Sequence, residues 1–167
     1  FTMPGFGTVV TGTLIDGVLN VGQEVELVLS SLKGRIRGLQ THKAKLQEAK
    51  PGTRVAANLT GIDHQEVSRG DVIADPGWLY PTTAVDLRLR VLKNIPNPLR
   101  HNMFVSVHSG SSQVIGRLRL LEVPTAEPGQ VVWAQLKLNS PVAVVKGDCI
   151  VIRSNLITLG GGEVIDP

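Results

Sequence analysis

The hydrophobic pattern along the chain is typical of short β-strands. Residues 24–27, within the mostly apolar stretch 24–29, alternate between charged and apolar side chains, and a period of two marks a strand with one buried face. No apolar pattern with helical spacing persists for three turns, and residues 44–50 could form at most one uncapped helical turn. The pattern predicts an all-β chain with strands at residues 8–11, 13–15, 24–29, 35–39, 55–59, 72–74, 84–92, 104–107, 114–121, 131–138 and 149–153.

A sequence repeat predicts the domain organisation. Residues 51–59 and 128–136 both begin with Pro-Gly and continue into an apolar run. Each run is followed by a second turn, which contains Gly-Asp. In both copies the two turn glycines are 18 residues apart, at Gly52 and Gly70 and at Gly129 and Gly147. Equal spacing indicates two similar β units in tandem. We expect domains at residues 1–77 and 78–167, divided at a turn over residues 75–77.

Short strands and frequent turns favour closed sheets, because closure removes exposed strand edges. The fold prediction is therefore two tandem antiparallel β-barrels. Three consecutive glycines at residues 160–162 are expected in a tight turn or linker. Cys149 lies in an apolar run, and we expect it to be a buried strand residue.

Composition excludes several classes of protein. A hydrophobic content of 42% excludes a disordered chain. A single cysteine cannot form an internal disulfide, which fits a reducing cytoplasm. No apolar run has the length of a membrane helix, and no signal peptide is visible. The chain opens on Phe1 without an initiator methionine, so we expect a piece of a longer protein.

The net charge of +3 comes from the second half of the chain, where nine Lys/Arg face six Asp/Glu in residues 78–167. Arg88 and Arg90 are two residues apart in a predicted strand, as are Arg117 and Arg119, so each pair shares a face. Arg100 lies in a predicted loop. A solvated sheet face and a surface for nucleic-acid phosphate both account for these arginines.

The chain lacks the motifs of a catalytic centre. The glycines of residues 7–12 have the spacing of a phosphate loop, but Thr13 and Leu14 follow where such a loop needs Lys and Ser or Thr. The four histidines are not spaced as metal ligands and have no cysteine partners. We therefore predict no catalytic residue and no metal site in this chain, and no enzymatic activity of its own.

The motifs resemble those of translational GTPases. Residues 1–12, Phe-Thr-Met-Pro-Gly-Phe-Gly-Thr-Val-Val-Thr-Gly, are similar to the opening strand of the second domain of elongation factor Tu, and residues 52–71 to its closing half. Residues 51–59 and 158–167 resemble the second and third domains of the selenocysteine-specific elongation factor. The resemblance covers essentially the whole chain and implies barrels of the domain II and domain III type.

That resemblance implies a tRNA-binding role. In the family, the second barrel holds the aminoacylated 3′ end of tRNA, which places Arg54 in the amino-acid pocket and Gln40 at the terminal ribose. Met3 and Val9 would lie near the adenine. The third barrel contacts the tRNA backbone, and its candidate residues here are Arg88, Arg90, Arg100, Arg117 and Arg119.

An arginine in the pocket suits selenocysteine. A selenol is more acidic than a thiol and is largely anionic at neutral pH, whereas cysteine, with a pKa of about 8.5, is mostly neutral and serine is always neutral. The permanent charge of Arg54 would separate the anion from both. Without the resemblance, a solvated arginine on a barrel rim is the simpler interpretation.

The resemblance implies further parts and partners that this chain does not contain. These are a GTPase domain with GTP and magnesium, a C-terminal winged-helix region and pocket residues preceding Phe1. The implied function is GTP-dependent delivery of selenocysteinyl-tRNA to the ribosome in the cytoplasm, with no membrane partner. The alternatives are the same domains of elongation factor Tu, of an initiation factor or of a sulfate-activation GTPase subunit, or a barrel scaffold without a ligand.

Overall fold

The protein is described by a computed structural model that covers the backbone of residues 2–3, 7–42, 44–154 and 157–167, with side chains from residue 7 onward. Within these ranges the chain forms β-strands and one 3-10 turn, His64–Glu66, and no α-helix. The all-β prediction is confirmed. The chain divides into two compact units, Phe1–Trp78 and Leu79–Pro167.

The first unit, called unit 1 below, is one antiparallel sheet with a small accessory pair. Its main sheet has the order β1-β2-β8-β5-β4-β9, with β6 paired to β5, while β3 pairs with β7. Residues 44–50, where the sequence allows at most one helical turn, contain the short strands β6 and β7 instead. In the described residues β1 and β9 are the two ends of this path, so barrel closure of unit 1 stays a prediction. The strands are β1 (Thr2–Met3), β2 (Gly7–Thr13), β3 (Leu19–Asn20), β4 (Glu24–Leu27), β5 (Leu32–Thr41), β6 (Ala44–Leu46), β7 (Glu48–Ala49), β8 (Arg54–Thr60) and β9 (Ile73–Ala74).

The second unit, unit 2, is a closed barrel of six strands in the order β10-β15-β13-β12-β16-β17, with β11 and β14 paired beside it. Alternate residues of every barrel strand enter one apolar core, which includes Leu87, Leu118 and Leu136. Closure of unit 2 is therefore confirmed. The strands are β10 (Thr82–Val91), β11 (Leu99–Arg100), β12 (Met103–Ser109), β13 (Ser112–Leu120), β14 (Thr125–Ala126), β15 (Val131–Val142), β16 (Cys149–Ser154) and β17 (Ile157–Asp166).

The two units share one strand order, as the sequence repeat predicts. The path β2-β8-β5-β4-β9 of unit 1 corresponds to β10-β15-β13-β12-β16 of unit 2. Gly52 and Gly129 open the equivalent strands β8 and β15 with φ angles of 82° and 88°, and Gly70 and Gly147 have φ angles of 100° and 94°. Residues other than glycine adopt such angles only with strain. Unit 2 then adds β17, which pairs with both β10 and β16 and closes the barrel.

The prediction that the three consecutive glycines form a tight turn or linker is wrong, because they lie inside β17. Their backbone passes too close to both neighbouring strands for a side chain. A Cβ on Gly160 would lie 2.5 Å from the Arg90 carbonyl oxygen, and one on Gly161 would lie 2.9 Å from that of Ile150. A Cβ on Gly162 would overlap the carbonyl oxygen of Arg88. Glycine is needed here for close approach of strands.

The prediction that Cys149 is buried is also wrong. Cys149 is exposed at the start of β16, because the strand alternates between faces. Ile150 and Ile152 enter the core, while Cys149 and Val151 face outward. An uninterrupted apolar run therefore concealed a strand with only one buried face.

Candidate functional site

The candidate site of unit 1 is built on β8, which lies between β2 and β5 in the sheet. Val55, Ala57 and Leu59 of this strand enter the core. The alternate residues, Arg54, Ala56 and Asn58, project from the opposite side, which we call the outer face of β2–β8–β5.

Strand register gathers three of the predicted residues on this outer face. Ala56 lies directly opposite Thr11 on β2 and Gln40 on β5. Asn58 lies opposite Val9, and Arg54 opposite Thr13. Because directly paired residues share a face, Val9, Gln40 and Arg54 project from the same side of the sheet.

Met3, the fourth predicted residue of this group, belongs to β1, whose backbone pairs with β2 through Met3 and Gly7. Its side chain lies outside the described residues, so its position in an adenine pocket stays a prediction.

Arg54 and Gln40 line the same shallow hollow, which has a volume of about 260 Å³. The Arg54 guanidinium leans toward β2, where its Nη2 donates to Thr11 Oγ1 at 3.4 Å. Thr41 Oγ1 donates to the backbone carbonyl of Arg54 at 2.8 Å, and this bond fixes the start of β8 against the end of β5. The guanidinium is therefore held over the outer face.

Thr11, Thr41 and His42 also line this hollow, and sequence reasoning missed all three. His42 has a positive φ of 46°, and its Nδ1 lies 3.1 Å from Thr41 Oγ1. The signal for Thr11 was present in the sequence, because it is separated by two from Val9 on one strand and therefore shares its face.

The charge of Arg54 is not neutralised by a carboxylate in the described part of the chain, where the ion pairs are Arg35–Glu24, Lys50–Glu48 and His64–Asp63. Arg54 is exposed. The hollow thus offers a fixed positive charge to an anionic group.

A second hollow of about 370 Å³ lies toward the other end of β8 and is lined in part by Arg37, Asp63 and His64. The backbone N–H of Gln65 donates to the Asp63 carboxylate and lowers the pKa of that group, with a smaller contribution from His64. Asp63 caps the 3-10 turn, so this ionised carboxylate has a structural role.

In unit 2 the two arginine pairs project from the outside of the barrel, on opposite sides of β15. Arg88 and Arg90 lie opposite Trp133 and Val131, whereas Arg117 and Arg119 lie opposite Lys137 and Gln135. Each pair shares a face, but the two pairs are displaced along β15 and do not form one patch.

The surroundings of the two pairs differ in charge. Arg88 lies opposite Glu163 on β17, which offsets part of its charge. Arg117 is next to Lys137 and packs over the Phe104 ring, with 4.4 Å from the guanidinium carbon to the ring centroid. The cluster of Arg117, Arg119 and Lys137 is therefore the more cationic of the two. Lys137 was not among the predicted residues.

Arg100 stands apart from both pairs. It belongs to β11, which pairs with β14 beside the barrel, and its side chain is exposed. Arg100 therefore lies in a different pair of strands from the four barrel arginines.

The described residues hold no group of three His, Cys, Asp or Glu side chains arranged for a metal ion. Residues 7–12 form part of β2, in which Gly7 pairs with β1 and residues 8–12 pair with β8. Their backbone is engaged in the sheet, so these glycines do not fit a nucleotide-phosphate site. In the same described portion, no helix has the length and apolar character needed to cross a membrane.

Comparison with known proteins agrees with this architecture. The profile of "Elongation factor Tu domain 2" matches residues 7–74, and that of "Selenocysteine-specific elongation factor, beta-barrel domain" matches residues 86–167. The chain is 40% identical over 169 residues to the selenocysteine-specific elongation factor of Desulfomicrobium baculatum, covering 100% of this chain and 27% of that protein. It is 30% identical over 167 residues to elongation factor Tu 2 of Streptomyces avermitilis, covering 98% of this chain and 43% of that protein.

The chain thus spans between about a quarter and a half of the length of these curated relatives. The two profiles divide it at the same place as the structure, with one match in each compact unit. The chain therefore belongs to the translation elongation factors, as an elongation factor Tu domain 2 followed by the β-barrel domain of selenocysteine-specific elongation factors.

Proposed function

We propose that the outer face of β2–β8–β5 binds the aminoacylated 3′ end of a tRNA, and that Arg54 selects selenocysteine. The observation that carries this proposal is the shared hollow of Arg54 and Gln40. The exposed guanidinium of Arg54 has no carboxylate partner in the described residues. A small hollow with one fixed positive charge suits a compact anionic side chain.

The chemistry of discrimination follows from that charge. A selenolate entering the hollow forms an ion pair with Arg54, whereas a neutral serine or cysteine side chain leaves the guanidinium unpaired. Removing an unpaired charge from water is unfavourable. The site therefore disfavours neutral aminoacyl side chains as well as attracting the anion. In this arrangement Gln40 contacts the terminal ribose, and Val9 and Met3 contact the adenine.

The proposal for the whole protein follows the family resemblance. A GTPase domain that binds GTP and magnesium, and a winged-helix region, act with this chain to deliver selenocysteinyl-tRNA to the ribosome in the cytoplasm. In the assembled factor we expect unit 1 to form a closed barrel like unit 2. In this proposal the missing GTPase domain holds the nucleotide, and the described residues of this chain do not.

The test is equilibrium binding of the full-length protein, in the presence of GTP, to one tRNA charged with either selenocysteine or serine. We expect the selenocysteinyl form to bind more tightly, and the difference to shrink at acidic pH as the selenol becomes neutral. Equal affinity for the two charged forms at neutral pH would contradict selenocysteine selection.

Elongation factor Tu is the main alternative, since 98% of this chain also aligns with 43% of that protein. A general elongation factor would bind many charged tRNAs with similar affinity. Tight binding of seryl-tRNA and of other aminoacyl-tRNAs would favour this alternative. Absence of any tRNA binding would favour a sulfate-activation GTPase subunit or a scaffold role.

For unit 2 we propose that the cluster of Arg117, Arg119 and Lys137 contacts the tRNA backbone. Removing one cation that neutralises a phosphate should reduce the slope of log K against log salt concentration by about 0.7–0.9. Replacing Arg117 and Arg119 by alanine should therefore lower that slope by roughly 1.5. Binding measured between low and moderate salt tests this.

Lys146→Ala is the matched control, because Lys146 is an exposed cation in a turn of the same unit. It should leave the salt slope unchanged. An Arg117→Ala, Arg119→Ala variant that binds with the slope of the unmodified protein would show that these arginines have another purpose. The pair Arg88 and Arg90 should contribute less to the slope, because Glu163 lies opposite Arg88.

A further inference from the structure

Asn58 presents an unused hydrogen-bonding group on the candidate face. Its Oδ1 is covered from solvent and has no hydrogen-bond partner among the described residues. A covered acceptor without a donor is unfavourable, and such groups in folded proteins call for an explanation. Asn58 is also the one polar residue in the middle of β8, where apolar side chains or alanine occupy the other four positions of residues 55–59.

The residues beside Asn58 on the outer face are small or apolar. On one side it is paired with Val9, which is 8% exposed, and on the other with Gly38. Gly38 has no side chain, and a Cβ placed there would meet nothing within 4 Å. Ala56, the next outward residue of β8, is small. The outer face is therefore open on the Gly38 side of the Asn58 amide, whereas the Val9 side is covered.

Gln40 is a diagonal neighbour of Asn58, because Gln40 pairs with Ala56 and Gly38 pairs with Asn58. Diagonal neighbours in a sheet are about 7–8 Å apart, a distance that a ribose and its base readily span. If Gln40 meets the terminal ribose, the attached base lies over Gly38 and Asn58, on the open side of the amide.

We propose that the Asn58 amide reads the edge of the terminal adenine of the tRNA; this inference rests on the proposed function. An asparagine amide pairs with adenine through two bonds, accepting from the 6-amino group and donating to N7. No other common base presents this donor and acceptor in the same arrangement. Asn58 is thus a specificity-determining residue for the 3′ end, distinct in role from Arg54.

The amide can reach a base without strain. The terminal torsion of asparagine has broad minima, so a ligand can turn the amide outward at little cost. Asn58 as a whole is partly exposed. On binding, the oxygen exchanges an unpaired state for a bond with the adenine amine.

The experiment uses the full-length protein and charged tRNA whose terminal adenosine is either intact or replaced by purine riboside, which lacks the 6-amino group. We expect the unmodified protein to bind the purine-ended tRNA roughly tenfold more weakly. Asn58→Leu should bind the adenosine-ended tRNA more weakly and should no longer distinguish the two. The proposal is overturned if Asn58→Leu retains the full preference for adenosine.

Two controls separate this result from others. Asn97→Leu, an exposed asparagine in a loop of unit 2, should keep the preference for adenosine. Asn58→Leu should keep or raise the melting temperature, because the substitution removes an unpaired buried acceptor; if instead it unfolds the protein, Asn58→Ala repeats the comparison. Failure of the unmodified protein to bind any charged tRNA contradicts the proposed function itself, whereas tRNA binding that is indifferent to the 6-amino group contradicts only the role of Asn58.

Discussion

Replacing Arg54 by methionine should abolish most of the preference for selenocysteinyl-tRNA over seryl-tRNA. An ion pair at about 4 Å with an effective dielectric constant near 20 is worth roughly 4 kcal/mol. We expect about half of this to remain after desolvation, which corresponds to roughly thirtyfold in relative affinity. The loss should fall almost entirely on the selenocysteinyl form, because serine has no charge to pair. Competition binding with the two charged tRNAs measures the ratio.

Two further variants control for the charge and for the fold. Arg54→Lys keeps a positive charge and should retain part of the preference. Arg35→Met removes an exposed arginine from β5 whose partner is Glu24 at 2.8 Å, and it should leave the preference unchanged, since such exposed pairs contribute little to stability. Equal weakening of both charged tRNAs by Arg54→Met would exclude a role in selecting the amino acid.

Replacing Gly162 by alanine should strongly destabilise unit 2. The added Cβ would overlap the Arg88 carbonyl oxygen and come within 3.1 Å of the Leu89 Cα. These are backbone atoms of a paired strand, so relief requires β10 and β17 to separate. We expect a loss of roughly 3 kcal/mol in the free energy of unfolding and a fall in melting temperature of about 12–24 °C, measured by calorimetry.

Gly12→Ala provides the matched control. Gly12 also lies within a strand, β2, but a Cβ there would meet nothing within 4 Å. Alanine reduces the conformational freedom of the unfolded chain, so this variant should be neutral or slightly stabilised. If the two alanine variants unfold at the same temperature, close strand approach is not the reason for glycine at position 162.

The sequence predicted most of the longer strands well, because alternation and turn glycines are local signals. Gly52 and Gly129 illustrate this, since each adopts a positive φ at the start of an equivalent strand. It failed at β17, because three glycines carry no hydrophobic alternation and are usual in turns. Glycine is required at these positions because strands distant in sequence, such as β10, pass too close for a side chain. A local sequence pattern does not contain that information.

The site was predicted in part for a similar reason. Arg54, Gln40 and Val9 came from a family resemblance, and strand register places them on one face. Thr11 was accessible to the same alternation argument. Asn58 was not recognised, because only the three-dimensional surroundings reveal that its amide oxygen is covered and unpaired in the described structure.

The way β17 completes unit 2 also bears on synthesis. This strand joins β10, the first of the barrel, to β16, so residues at opposite ends of the unit must meet. While a ribosome is still making residues 157–166, β10 and β16 have no partner on one side and remain open to pairing with other chains. Unit 2 thus leaves the ribosome with an unfinished barrel, and the free edges of β10 and β16 are covered only after its glycine-rich strand has been released.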